Sequence, residues 1–217
     1  MTYEELKEIK LRLDKWREER HLSYESQQKG FMPNILDEIR EYYLAQDDNE
    51  RVAELCDVVI FCLNVNELEE FSLNKQPISL TYLMSNLGLM INKNYTGLKL
   101  DFERELTKSC IKGLIDISIN IIKRMGYNPY ECLKEKVKEI ESRTGRYDES
   151  LGKFIKDKGA YTQEEAKNLT YKEFGDDFEI VNTKENEEYF YLWITTTKEA
   201  LQTTVKKWHK AKMIKNA

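Results

Sequence analysis

Proline and glycine are scarce in this chain, three and nine among 217 residues. So few turn-makers argue against a turn-rich β fold and for long helices. Long apolar runs are missing as well. None approaches the roughly 18 residues that suggest a membrane-spanning helix, so no membrane partner is expected. Residues 1–20 are charged throughout and hold no apolar stretch of the kind a secretory signal needs, which points to the cytoplasm. His21 and His209 are the only histidines. Neither has a nearby histidine or cysteine with which to build a zinc site. Cys56, Cys62, Cys110 and Cys132 form no C-x-x-C pair, and buried, reduced thiols are the expectation for them. Positive charge is not in excess either. A net charge of −5 argues against a whole-surface nucleic-acid footprint.

What is present is charge and apolar periodicity, with 34% charged and 41% hydrophobic residues. The length suffices for one sizeable core, or a core with a small appendage. Leu6, Ile9, Leu13 and Trp16 recur at helical spacing and predict a first helix over 3–20. Residues 21–33, with Gly30 and Pro33, read as a connection. A second helix is expected over 34–46 and a third over 48–70, with Asp47 and Glu50 as a capping box between them. Ser79 is suited to cap a fourth helix running to Lys93, and Gly97 interrupts. A fifth helix is expected over 101–125, closed by Gly126. Asn128–Pro129 then opens a sixth that ends near Arg143. After residue 150 the texture changes. A short helix fits 163–174, a hairpin fits 178–182 with 189–196, and a basic helix fits 197–213. The expected fold is an all-α core, an antiparallel helical bundle over 1–158. A small α+β appendage over 159–217 completes it, made of the hairpin and the terminal helix.

The chemistry sits in four acids. Glu38-x-x-Glu41 is followed, after twelve residues, by Glu54-x-x-Asp57. Residues three apart share a helix face, and the two pairs lie symmetrically about the turn at Asp47–Asp48. In an antiparallel αα-hairpin Glu41 comes level with Glu54, and Glu38 with Asp57. The same local spacing occurs at Glu5/Glu8, Glu67/Glu70 and Glu185/Glu188, where solvated helix faces are the simpler reading. Glu54 and Asp57 differ because they stand at the mouth of the apolar run Val58–Phe61. Four unpaired carboxylates cannot share a dry groove, since each buried ion costs several kcal/mol. A divalent cation removes the conflict. Mg²⁺ takes oxygen ligands and commonly combines carboxylates with substrate phosphates. Di-iron bundles would need Glu-x-x-His, which is missing.

The stretch DEIREYYLAQDDNERVAELCDVV, with its E-x2-E-x12-E-x2-D pattern, resembles the signature of the all-α NTP pyrophosphatase superfamily, the MazG-like and dimeric-dUTPase-like enzymes. The resemblance is sharp over 34–64. It implies that Glu38, Glu41, Glu54 and Asp57 bind Mg²⁺, with Mn²⁺ as a substitute ion. It implies hydrolysis of a nucleoside triphosphate between its α- and β-phosphates, giving a monophosphate and pyrophosphate, by a homodimer. Glu41 is the candidate for the carboxylate nearest the attacking water, with Glu54 beside it in the catalytic set. The stretch KEKVKEIESRTGRYDESLGKFIKD is similar to the family's later phosphate-binding helix, which assigns Lys136, Arg143, Lys153 and Lys156 to the phosphates. Unlike compact members, this chain places residues 71–115 between the Asp-bearing helix and that element.

Weaker signals surround this core. Asn64, two turns beyond Asp57, is a candidate for sugar or base, as are Asp116 and Asn120 one turn apart. Trp16 is a candidate stacking partner. The basic tail, with Lys198, Lys206, Lys207, Lys210, Lys212 and Lys215, reads as a solvated helix face, contact with nucleic acid being the alternative. The alternative function is a nucleotide-binding or interaction module that keeps the fold without turnover.

Overall fold

The computed structural model describes residues 1–69, 73, 80–94, 105–151, 153–175, 178–195 and 199–216. The chain divides into two compact units, one of residues 1–137 with 211–217 and one of residues 138–210. The expected Ser79 cap, the interruption at Gly97, the first turn of the fifth helix and Lys198 lie outside the described residues.

The first unit is helical. Helix α1 (Tyr3–Glu18) begins at Thr2, whose side chain accepts from the Glu5 amide while Glu5 reaches back to the Thr2 amide, a reciprocal cap. Helix α2 (Tyr24–Leu44) starts ten residues earlier than expected and carries Pro33 inside it. Two things outweigh the proline. Ser23 caps the start by accepting from the Ser26 amide at 3.2 Å, and Phe31 and Ile35, on either side of Pro33, are fully buried. Burying each such side chain is worth about 1.5–3 kcal/mol, enough to offset the roughly 3 kcal/mol that an internal proline costs.

Helix α3 (Asp48–Asn64) opens on Asp47, which accepts from the Glu50 amide at 2.9 Å; Glu50 returns to the amide of Gln46, one residue before the cap. The helix ends at Asn64, short of the expected residue 70. There Gln28 donates to the freed carbonyl of Val65 at 2.7 Å, which satisfies an end group the helix leaves open. Helices α4 (Leu80–Asn94), α5 (Glu105–Arg124) and α6 (Pro129–Ser142) follow. Helix α3 packs against α1, α2 and α5. Its Val52, Leu55, Val59 and Leu63 meet a core that includes Leu6, Ile9, Ile35, Leu114 and Ile117, all buried.

At the end of α5 the chain turns on Gly126, whose φ is +86°. The amide of Tyr127 bonds back to Ile122 O at 3.2 Å and that of Gly126 to Lys123 O at 3.0 Å, the paired bonds of a glycine-closed helix end. Asn128 then accepts from the Tyr130 and Glu131 amides and starts α6. Residues 211–217 belong to this unit. Asn128 N–H bonds Ile214 O at 2.8 Å, and Asn216 N–H bonds Gly126 O at 2.9 Å.

The second unit corrects the expected fold class. The expected hairpin is there, as antiparallel strands over 179–185 and 189–195, but a strand stands where the terminal helix was expected, and six strands form two sheets among the described residues. Helix α6 stops at Ser142, close to its expected end, and the rest of the segment likened to a phosphate-binding helix forms an antiparallel hairpin of β1 (Gly145–Asp148) and β2 (Lys153–Lys156). The other sheet has the order β3-β6-β5-β4, from β3 (Gly159–Ala160), β4 (Glu179–Glu185), β5 (Tyr189–Thr195) and β6 (Ala200–Lys207). The expected basic helix over 197–213 is overturned by β6. β6 pairs along the whole of β5, and its Thr203, Thr204 and Val205, opposite Leu192, Tyr191 and Phe190, are β-branched, side chains that pack well in a strand. Helix α7 (Gln163–Phe174) covers one face, with Ala166 against Phe190, Leu192 and Val205.

Candidate metal centre

The α2–α3 hairpin brings the acids together. One carboxylate oxygen from each of Glu38, Glu41 and Glu54 lies within 4.8 Å of the others. Glu38 and Glu54 are half-buried and Glu41 is exposed, so the cluster opens on the Glu41 side. Glu38 shares a hydrogen bond with Glu54, and the charge of Asp57 acts on it too. Its carboxyl is pushed up to about 9, first by burial, then by Asp57, then by the Glu54 hydrogen bond and the charges of Glu54 and Glu41. Two carboxyl oxygens this close cannot share a hydrogen bond without a proton. The site is therefore built for positive charge, carried either as a proton on Glu38 or as a cation among the three.

Asp57 already has a cation. Lys136, buried on α6, reaches its Oδ2 at 2.7 Å. Of the four residues expected to meet phosphate, Lys136 is thus placed at the cluster. The other three lie in the second unit. Arg143 is paired with Glu139 and donates from Nε to the Tyr161 hydroxyl at 2.9 Å. Lys156 is exposed at the end of β2, and Lys153 is the first residue of that strand.

Asn64 is buried, and its side-chain oxygen has no hydrogen-bond partner, which is uncommon for a buried carbonyl. Asp116 and Asn120 are buried on α5, and Asn120 Nδ2 donates to Asp116 Oδ1 at 3.2 Å. Trp16 carries the Arg20 guanidinium over its ring at 4.7 Å, so one face is already covered. The four cysteines are free and buried. Burial pushes the thiols of Cys56 and Cys62 up, which makes them poor nucleophiles.

The sequence did not point to a cavity of about 360 Å³ in the first unit, lined by Tyr24, Gln28, Leu63, Ile111, Lys108 and Lys112 among others. Lys108 and Lys112 both reach Glu69, at 2.9 and 2.8 Å. Their one-turn spacing on α5 was the available signal. Along α2 the cavity lies roughly 15 Å of helix rise from Glu38. None of Asn64, Asp116, Asn120 and Trp16 lines it.

The oxygen-only donor set fits a hard divalent ion such as Mg²⁺ and would hold it through Glu38, Glu41 and Glu54, with Asp57 adjoining. Among the described residues no helix is long and apolar enough to cross a membrane. No family model, no curated protein and no solved structure matches the chain.

Proposed function

We propose that this chain is a cytoplasmic, Mg²⁺-dependent nucleoside triphosphate pyrophosphohydrolase, releasing a nucleoside monophosphate and pyrophosphate from an NTP or dNTP. The carrying observation is the convergence of Glu38, Glu41 and Glu54 within 4.8 Å, with Lys136 held against the adjoining Asp57 at 2.7 Å. A triphosphate needs a divalent ion and a basic side chain together, and no other cluster of three such acidic, histidine or cysteine ligands is found among the described residues. The E-x2-E-x12-E-x2-D resemblance supports the same reading.

Mg²⁺, when bound, supplies positive charge at the phosphate oxygens and polarises water. The chain's own groups do the rest. Glu38 and Glu54 hold the acidic floor. Lys136 leaves Asp57 for a phosphate oxygen as substrate enters, a charge-assisted exchange of one anion for another. Glu41, the exposed member, takes a proton from the water that attacks the α-phosphorus. The bond from that phosphorus to the bridging oxygen breaks, and pyrophosphate leaves.

Pyrophosphate release from a panel of ribo- and deoxyribonucleotides, with and without Mg²⁺, tests the reading. We expect release that depends on Mg²⁺ and falls by at least ~100-fold in Glu54→Gln and in Asp57→Asn, the scale of a lost electrostatic contact at the reacting centre. Release that survives both substitutions overturns the site. No release from any nucleotide overturns the enzyme.

A further inference from the structure

Within the second unit, α7 covers one face of the sheet β3-β6-β5-β4. Residues along a strand alternate between faces, and Phe190, Leu192 and Ile194 of β5 are buried on the α7 side. Tyr189, Tyr191 and Trp193 therefore stand together on the other side, half-buried. The helix of the second unit that packs substantially on this sheet, α7, lies on the Phe190 side. An antiparallel sheet's solvent face ordinarily carries small polar residues; here its central strand carries three aromatic rings.

Their surroundings narrow the use. Directly paired residues of neighbouring strands share a face. Tyr189 is opposite Lys206, Tyr191 is flanked by Lys184 and Thr204, and Trp193 by Asn182 and Gln202. Those five partners comprise two cations, three neutral hydrogen-bonding side chains and no acid. Lys206 sits over the Tyr189 ring at 4.5 Å and Lys184 over Trp193 at 5.9 Å. Lys206 also reaches Glu188 at 3.5 Å, with Glu188 well exposed, a rim pair of small energy that a phosphate can replace. The ring centroids follow at 6.3 and 6.4 Å, tilted by 57° and 30°. The rings do not stack face to face on one another, so each keeps a face for a planar ligand.

We propose that this face is a binding platform for a short single strand of nucleic acid. Bases stack on Tyr189, Tyr191 and Trp193, and Lys184 and Lys206 turn from the rings to the phosphates. Stacking on aromatics carried by a sheet, beside basic side chains, is how sequence-tolerant single-strand binders work. The acidic net charge of the whole chain, −5, limits the affinity and confines binding to the platform. This inference does not depend on the hydrolase reading.

The test uses the full chain in EDTA, so that neither turnover nor metal bridging contributes. A short fluorescein-labelled oligodeoxythymidylate is titrated by anisotropy across a sodium chloride series, beside a duplex of equal length. We expect the single strand to bind more tightly than the duplex, with a log–log salt slope of about −1.4 for two phosphate contacts. Trp193→Ala and Tyr191→Ala should each weaken binding roughly 5- to 150-fold, and Trp193→Phe should retain it. That rescue separates a lost stacking surface from a collapsed sheet. Lys184→Ala should bring the slope to about −0.7. No binding of the single strand overturns the proposal, as does equal binding of duplex or unchanged affinity in both alanine variants. A mass increase in sedimentation without oligonucleotide, abolished by Trp193→Ala, also overturns it and assigns the face to a second copy of the chain.

Discussion

At Glu38, burial and three neighbouring carboxylates all act in one direction. The folded protein without metal keeps that proton up to about pH 9, whereas the unfolded chain releases it near 4.5. Between those values the folded state binds more protons, so rising pH favours unfolding. The contribution is whole below about pH 4.5 and is lost as pH climbs towards 9. In EDTA the melting temperature should fall between about pH 5 and pH 9, and Glu38→Gln should flatten that fall because its amide holds its hydrogens at every pH. A thermal scan of both proteins decides it; equal slopes would remove the shared proton. Mg²⁺ competes with the same proton, so its stabilising shift should grow with pH. The convergence of Glu38, Glu41 and Glu54 was legible in the sequence, because two i, i+3 pairs are mirrored about Asp47–Asp48, but Asp57, the expected fourth ligand, is outside that cluster and pairs with Lys136. Lys136 could be assigned to phosphate, but its ion pair with Asp57 depends on how α6 meets α3, and no local pattern encodes that.

Among the elements, the helices with strong local signals came out near their expected places. Gly126 after α5 and Asn128–Pro129 before α6 each place a chemically specific residue at a helix end. Failures fell where distant partners decide. Residues 24–33 carry Gly30 and Pro33 yet are helical because Phe31 is buried. Residues 200–207 are polar and basic yet extended because β5 pairs with them on its free edge. The platform rings were within reach of the sequence, since the alternation Tyr189, Tyr191, Trp193 has period two, but only the sheet shows which side α7 leaves uncovered. Two glycines illustrate different constraints. Gly126→Ala meets no neighbour but must hold φ at +86°, and should cost about 1–2 kcal/mol in urea unfolding, with Asn partly restoring it. Gly159→Ala has an ordinary backbone but drives its β-carbon into the Trp208 indole. It should cost about 1–3 kcal/mol, read in the exchange of β3 and β6 amides.

Across the whole molecule, the first unit is made of two stretches of chain that the second unit separates. The returning stretch bonds Asn128 through Ile214 and Gly126 through Asn216, and the Ile214 amide lies 3.2 Å from the Cys132 sulfur. Truncation after Lys210 should therefore loosen the α5–α6 corner by about 1 kcal/mol per backbone bond removed. Hydrogen exchange should show it at the Asn128 amide while the β4–β5 amides keep their protection; uniform loss of protection would instead mean a global effect.

That returning stretch also sets an order in time. Its two backbone bonds close a loop containing every residue from 138 to 210. Closing so long a loop carries an entropic penalty that grows only slowly with length, but it cannot begin until the far end exists. On the ribosome, where domains generally fold as units as they emerge, the strands can pair while the helical unit still lacks its last segment. The returning stretch, made after the rest of both units, then acts as a latch, and the acid-bearing hairpin spends its first seconds in an unfinished unit.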